Sequence, residues 1–155
     1  MPKVSAGLIM YRRVSGGLQV LLVHPGGPVW KHKDAGWWSI PKGEMGEGED
    51  ALAAAQREFQ EETGFAVREP FIELTSVQLR SGKIVHAWAF EGDCDPAALH
   101  SNTFSLEWPP RSGKVCEFPE VDRAGFFSVA EAKEKMSERQ FPLVEELQRK
   151  LAIQG

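Results

Sequence analysis

Two apolar segments open the chain and flank a glycine turn. VSAGLIMYRR and LQVLLVH stand on either side of SGG, and both are rich in Val, Leu and Ile. Apolar, β-rich runs around a Gly-Gly pair are typical of a β-hairpin. The pattern therefore predicts two antiparallel strands at the start of the chain.

An amphipathic segment follows further along. Asp50 can cap a helix over about Ala51–Thr63, and Gly64 stands where a left-handed residue would end it. One side of this helix can face a sheet. The residues on that side are Leu52, Ala55, Gln56 and Phe59.

The rest of the chain mixes strands and helices. AVREPFIELTSVQLR and KIVHAWAFE predict strands around the turn SGK, and EGDCDPAALHSNTFSLEWPPRSGK predicts an irregular segment. VDRAGFFSV predicts a strand, and Ser128 with Glu131 forms a capping-box pattern for a helix over about 129–135. A last helix starts near Pro142, with Leu143, Leu147 and Leu151 as its buried stripe. This order favours an α/β domain in which helices cover a mixed sheet.

The composition narrows the class of protein. At 155 residues without a dividing linker, a single domain over 1–155 is expected. The net charge of -4 disfavours a duplex nucleic-acid binder. The two cysteines show no CxxC spacing, and no 18-residue apolar stretch occurs. We therefore expect a cytoplasmic protein with no membrane partner.

Carboxylates concentrate in PKGEMGEGEDALAAAQREFQEETGF. Glu58, Glu61 and Glu62 stand at i, i+3 and i+4, so the three share one patch near the helix C-terminus. Like charges repel there, and the helix dipole disfavours them. Either the patch is a solvated helix face, or it holds a hard divalent cation such as Mg²⁺.

The spacing of this segment resembles the Nudix box, GX5EX7REUXEEXGU. Gly43, Glu49, Arg57-Glu58-Phe59, Glu61-Glu62 and Gly64-Phe65 match it at every fixed position. Phe59 and Phe65 stand where the family more often has aliphatic residues. The leading hairpin, WSIP and FFSV with its helix also look similar to that family. The resemblance implies an α/β/α sandwich around a mixed sheet.

The resemblance also implies roles for the carboxylates. Glu58 and Glu62 match the principal metal ligands, for Mg²⁺ with Mn²⁺ as a substitute. Glu61 matches a carboxylate that shares a metal or takes a proton from the attacking water. Arg57 matches the partner that orients it, and Glu49 matches a supporting carboxylate or an outer-shell ligand of the metal.

The loop before the helix supplies further candidates. A backbone carbonyl at Lys42 or Gly43 is expected to complete the metal coordination. The Lys42 side chain either contacts a phosphate or is a solvated loop lysine. Glu120 is favoured over Glu117 as a general base, with an ordinary loop carboxylate as the alternative.

Tryptophans suggest where a base would bind. Trp30 and Trp37 lie in a long Gly/Pro-rich loop, residues 25–37, which we expect to close over a substrate as a lid. Both are candidates for stacking on a base. Trp38 and Trp88 are expected in the core, and Trp108 is open to either role.

The resemblance implies hydrolysis of a nucleoside diphosphate linked to another group. PKGE is similar to the WxxPKGH entry of diadenosine polyphosphate hydrolases, with Glu44 in place of histidine. Dinucleoside polyphosphates, (d)NTPs, nucleotide sugars and capped RNA stay open as substrates, and the acidic charge disfavours long nucleic acid. The alternative is a Nudix-fold binding or regulatory module without hydrolysis, which retention of all the box acids argues against. The sequence predicts no oligomeric state.

Overall fold

The structure is a computed structural model, and it describes residues 3–15 and 17–154. Gly16, within the predicted Gly-Gly turn, lies outside the described residues. So do residues 1, 2 and 155 of the predicted domain.

Eight strands and three α-helices make up the described part of the chain, with a short 3-10 helix at Pro96–Ala98. The strands are β1 (Val4–Val14), β2 (Gly17–Pro25), β3 (Lys42–Glu44), β4 (Ile72–Gln78), β5 (Ile84–Glu91), β6 (Thr103–Glu107), β7 (Val115–Pro119) and β8 (Val121–Ser128). The helices are α1 (Ala51–Thr63), α2 (Val129–Lys135) and α3 (Phe141–Gln154). No helix in these ranges is long and apolar enough to cross a membrane.

A mixed sheet forms the centre of the fold. Its strands run in the order β4-β5-β1-β2-β8, and β3 pairs with the first part of β1. The β1–β5 pair is parallel, whereas the other pairs are antiparallel. The predicted β1–β2 hairpin is confirmed.

The sheet is buried on both faces. Along β1, Leu8 and Met10 belong to one apolar cluster, whereas Ile9 and Tyr11 belong to the other. Side chains alternate between the faces of a strand, so one strand serves both clusters. The first cluster contains Phe59 of α1, and the second contains residues of α2 and α3. The predicted α/β/α sandwich is confirmed.

Both predicted ends of α1 are confirmed. The Asp50 side chain accepts a hydrogen bond from Ala53 N at 3.0 Å. Gly64 has φ 74°, a left-handed conformation that glycine adopts without steric cost, and its N–H donates to Gln60 O. The Ser128–Glu131 capping box of α2 and the buried leucines of α3 are also confirmed.

The segment predicted to be irregular contains strand β6, which forms a β-hairpin with β7 directly after that segment. Strands β6 and β7 pair with each other, apart from the main sheet. Both strands alternate half-buried and exposed residues, which is the signal of a strand with one covered face. The prediction failed because the Pro, Gly and Ser residues around TFSLE and VCEFP obscured that short alternation.

Candidate active site

Strand β3 passes directly over the acidic patch of α1. At Gly43 an added Cβ would lie 2.0 Å from Glu58 Oε2 and 2.1 Å from Glu58 Cδ. A side chain there would force either β3 or the Glu58 carboxylate to move, so glycine lets the two lie this close. The first glycine of the box therefore has a steric role in this fold.

Arg57 connects three of the box carboxylates. Its Nε and Nη2 donate to the two oxygens of Glu49 at 2.8 and 2.9 Å, a bidentate pair. Its Nη1 donates to Glu58 at 2.8 Å and to Glu61 Oε2 at 3.0 Å. The hydrogen bonds from Arg57 lower the pKa of Glu49 to about 2, and the Glu49 carboxylate in turn raises the pKa of Arg57. The predicted Arg57–Glu61 contact is present.

Glu62 lies on the inner side of the patch. Its Oε1 accepts from the backbone N–H of Lys42 at 3.3 Å. Burial raises the pKa of Glu62 to about 8 against the opposing charge of Lys42, and nearby Glu58 and Glu120 raise it further. Burial also lowers the pKa of the Lys42 ammonium. Both groups shift towards neutrality because their lost hydration outweighs their attraction.

Glu58 is also shielded from water. Its side chain is 13% exposed, and burial raises its pKa although Arg57 acts in the opposite direction. A mostly buried carboxylate is stabilised by a cation that it can bind directly. Glu58 and Glu62 therefore share a need for positive charge.

The box carboxylates supply the oxygen ligands that a hard cation prefers. Among residues 3–15 and 17–154, no three His, Cys, Asp or Glu side chains are arranged as a ready metal cage. Arg57 instead bonds to Glu49, Glu58 and Glu61. The shielded carboxyls of Glu58 and Glu62 fit a divalent cation in their donor chemistry, and binding it would require Arg57 to release Glu58.

A cavity of about 470 Å³ opens beside Glu62. This volume is within the usual range for small-molecule sites. Its floor is apolar, with Val23, Ile40 and Val121. Its polar lining residues are Ser39, Lys42, Glu62, Arg80, Glu120, Ser137 and Gln140.

The structure brings Glu120 to this cavity and leaves Glu117 away from it. Glu120 lies between β7 and β8, where its N–H donates to Asn102 O at 2.8 Å and its C=O accepts from Gly26 N at 2.9 Å. Asn102 N in turn donates to Glu61 O at 2.8 Å. Backbone contacts thus tie Glu120 to the end of α1. Glu117 is an exposed residue of β7 and does not line the cavity.

Both loop tryptophans lie at the cavity. Trp30 and Trp37 line it, with ring centroids 5.0 Å apart at an interplanar angle of 33°. Trp38 is 6% exposed, and its Nε1 donates to Asp34, as expected for a core residue. Trp88 is half-buried against the α1 face of the sheet. Trp108 is on the β6–β7 hairpin and does not line the cavity.

Three residues that line the cavity were not predicted from the sequence. Arg80 comes from the β4–β5 turn, and Ser137 and Gln140 come from the connection between α2 and α3. No motif marks these residues, since the tertiary fold brings them to the cavity from two separate connections.

Comparison with known proteins agrees with this geometry. The family model of the NUDIX domain matches residues 1–147, so the chain belongs to the Nudix hydrolase family. An RNA pyrophosphohydrolase of Caulobacter vibrioides (strain NA1000 / CB15N) is 48% identical over 50 residues, which are 29% of each protein. The chain thus matches less than a third of that curated relative's length.

Solved structures share the fold at low sequence identity. The binary complex of a C. elegans Ap4A hydrolase has a TM-score of 0.66 and 21% identity, over 96% of this chain and 98% of that one. The NUDIX domain of Shewanella oneidensis NrtR, complexed with ADP ribose, has a TM-score of 0.68 and 15% identity, over 97% and 89%. These similarities establish the fold.

Proposed function

We propose that this protein is a Mg²⁺-dependent pyrophosphohydrolase that cleaves a phosphoanhydride bond in a nucleoside diphosphate linked to another group. Nucleoside triphosphates and dinucleoside polyphosphates are the substrates that we favour. The observation that carries the proposal is the pair of shielded carboxyls, Glu58 and Glu62, one helical turn apart. Glu62 lines a cavity that Trp30 and Trp37 also line. Mn²⁺ is expected to substitute.

In this proposal, the residues of the Nudix box have different roles. Glu58 and Glu62, with Glu61 and a backbone carbonyl at Lys42 or Gly43, would hold Mg²⁺, which when bound neutralises phosphate charge and activates water. Glu49 would keep Arg57 in place through its bidentate pair. Arg57 would orient Glu61 through the Nη1 contact.

Four further residues would act on the substrate. Lys42, which lines the cavity as Glu62 does, would contact a phosphate oxygen. Glu120 lies at the same end of the cavity and is our candidate general base. Trp30 and Trp37 would contact the base.

The relatives support the substrate class. The C. elegans neighbour is an Ap4A hydrolase, and the Shewanella neighbour binds ADP ribose. The Caulobacter relative is an RNA pyrophosphohydrolase, but the match covers 29% of it. The net charge of -4 still argues against a long RNA.

The test is a screen of nucleoside polyphosphates with Mg²⁺, Mn²⁺ or EDTA, with detection of released phosphate after phosphatase treatment. We expect turnover that needs the cation, and loss of at least about 100-fold in Glu58→Gln and Glu120→Gln. Turnover that persists in EDTA would contradict the metal requirement. Tight nucleotide binding without turnover would instead indicate a binding or regulatory module.

A further inference from the structure

We propose that Gln140 is a specificity-determining residue that donates a hydrogen bond to a keto oxygen on the substrate base. This inference rests on the proposed function, because it assumes that a nucleotide occupies the cavity beside Glu62. The predicted preference is for purines with a keto oxygen at ring position 6, guanine and hypoxanthine, over adenine, which has an amino group there.

Neighbouring backbone determines the orientation of the Gln140 amide. The side chain is buried, with 3% of the residue exposed. Its Oε1 accepts from Ile40 N at 3.1 Å and from Ser39 Oγ at 3.2 Å. A backbone N–H can bond only to the carbonyl end of a glutamine amide, so the NH₂ group must be at the other end.

The NH₂ group of Gln140 has no hydrogen-bond partner among residues 3–15 and 17–154, although its carbonyl has two. In the same part of the chain, Ser5 Oγ is the one fully buried side-chain polar atom without a partner. The Gln140 nitrogen is not in that fully buried group, so part of its surface is accessible. Gln140 lines the cavity, and the cavity is where this surface can meet a ligand. A donor held in a mostly buried position without a partner is costly, and a ligand that accepts from it removes the cost.

The surroundings of Gln140 indicate that its ligand is a base. The cavity floor is apolar, and Trp30 and Trp37 stand on its wall. Lys42, Glu62 and Glu120 also line the cavity and are the residues that we assign to the phosphates. A polyphosphate held there leaves the apolar part of the same cavity for the base.

The free N–H donor of Gln140 determines which group on the base can bind beside it. With Oε1 occupied by Ile40 N, the amide offers only N–H donors to the ligand. A keto oxygen accepts such a bond, whereas an exocyclic amino group at the same position would place donor against donor. Sites built around a committed hydrogen-bond group reject analogues that cannot meet it.

The experiment compares ITP with ATP, since these differ by keto and amino groups at one ring position. For the wild type we expect kcat/KM for ITP to exceed that for ATP by about tenfold. Gln140→Glu keeps the size and an oxygen for Ile40 N–H but replaces the NH₂ donor. We expect the ITP/ATP ratio to fall to 1 or below in this variant. Gln148→Glu, which adds the same charge at an exposed position of α3, should keep the wild-type ratio.

The result that overturns the inference is an equal kcat/KM for ITP and ATP in the wild type, or a Gln140→Glu variant that loses activity towards both equally. If Gln140→Glu does not fold, the wild-type ratio decides. Quenching of tryptophan fluorescence by IMP and AMP measures the same preference without turnover. A protein that prefers IMP but hydrolyses nothing would contradict the proposed function and support the role of Gln140.

Discussion

Glu62 illustrates how a single carboxyl can oppose folding until a cation binds. Burial raises its pKa to about 8, so the folded state holds a proton that the unfolded state releases near pH 4.5. A carboxyl with a raised folded pKa contributes stability below the unfolded value and loses it as pH rises towards the folded value. In metal-free buffer, the stability of the wild type should therefore fall between about pH 4.5 and 8.

The first prediction concerns Glu62→Gln. In EDTA at pH 8, we expect its Tm to exceed that of the wild type, by about 2–4 °C for each kcal/mol of relieved cost. Its turnover with Mg²⁺ should fall at least about 100-fold. Glu61→Gln is the control for Tm, since its half-exposed carboxylate contacts Arg57. A lower Tm with normal activity would contradict our assignment of Glu62.

The second prediction concerns Gly43→Ala. The added methyl would lie 2.0 Å from Glu58 Oε2, so either β3 or the carboxylate must move. We expect at least about tenfold lower kcat/KM, with apparent Mg²⁺ affinity reduced in a titration. Gly46→Ala is the matched control from the same loop, where the nearest atom is the end of the Glu49 side chain at 3.2 Å. Equal activities in the two variants would exclude the steric role of Gly43.

At the scale of elements, loop 25–37 is held at both ends. Gly26 N donates to Glu120 O, and an added Cβ at Gly26 would lie 1.9 Å from Pro119 O. At the other end, Gly36 N donates to Lys135 O, and Lys135 also contacts Asp34 at 2.6 Å. The Lys33 carbonyl also contacts Nε2 of the buried His24 at 2.5 Å. A lid movement, which we still predict, would therefore be confined to residues 27–32.

The third prediction tests that loop. Trp30→Ala should raise KM about tenfold and change kcat little, because base stacking stabilises ground and transition states about equally. Trp37→Ala should do the same, since the two rings contact each other. Trp108→Ala is the control, because Trp108 does not line the cavity. Steady-state kinetics with the best substrate test this prediction. An unchanged KM in both loop variants would show that the loop has a structural role and does not bind the base.

The fourth prediction concerns the contact between α3 and β4. Glu146 accepts from Thr75 N at 2.7 Å and from Thr75 Oγ1 at 3.0 Å. Burial raises the pKa of Glu146, but the hydrogen bonds from Thr75 and the charge of Lys150 outweigh it, so the pKa is below its ordinary value. A lowered folded pKa gives stability above the unfolded pKa that is lost as pH falls through the folded one.

Glu146→Gln should therefore cost about 1 kcal/mol near pH 7. The difference should shrink towards zero as pH falls below the ordinary carboxyl range. Urea unfolding at several pH values measures it. Glu145→Gln, at the adjacent exposed position, is the control and should show no such dependence. A cost that stays constant with pH would contradict a role for the carboxylate charge.

At the scale of the whole molecule, cation binding and folding should be linked. Only the folded state brings Gly43 against Glu58 and the Lys42 backbone against Glu62, so Mg²⁺ that binds these carboxylates stabilises the fold by mass action. The fifth prediction is a gain of about 2.7 kcal/mol at a 100-fold excess over Kd. NaCl of equal ionic strength is the control. If Mg²⁺ raised the Tm of the double variant Glu58→Gln/Glu62→Gln as much as that of the wild type, the cation would bind elsewhere.

The sequence alone determined the parts of this protein that depend on neighbours a few residues apart. The caps of α1 and α2, the β1–β2 hairpin and the acidic patch all depend on contacts within one turn or one hairpin. The family resemblance was readable for the same reason, because the box is one short segment. The β6–β7 hairpin was equally local, but its strands are too short for their alternation to stand out.

Only the tertiary structure decided which distant residues share the cavity. The parallel pairing of β1 with β5 and the crossing of α3 bring Gln140 to Ile40, 100 residues away. The approach of Gly43 to Glu58 also depends on tertiary packing, because it needs the pairing of β3 with β1. Such contacts follow from packing of whole faces, and no residue near Gln140 in the chain carries a pattern that specifies its partner. The acidic residues of the candidate site could therefore be predicted from the sequence. The residues that we propose to select the base could not, because only the fold brings them to the cavity.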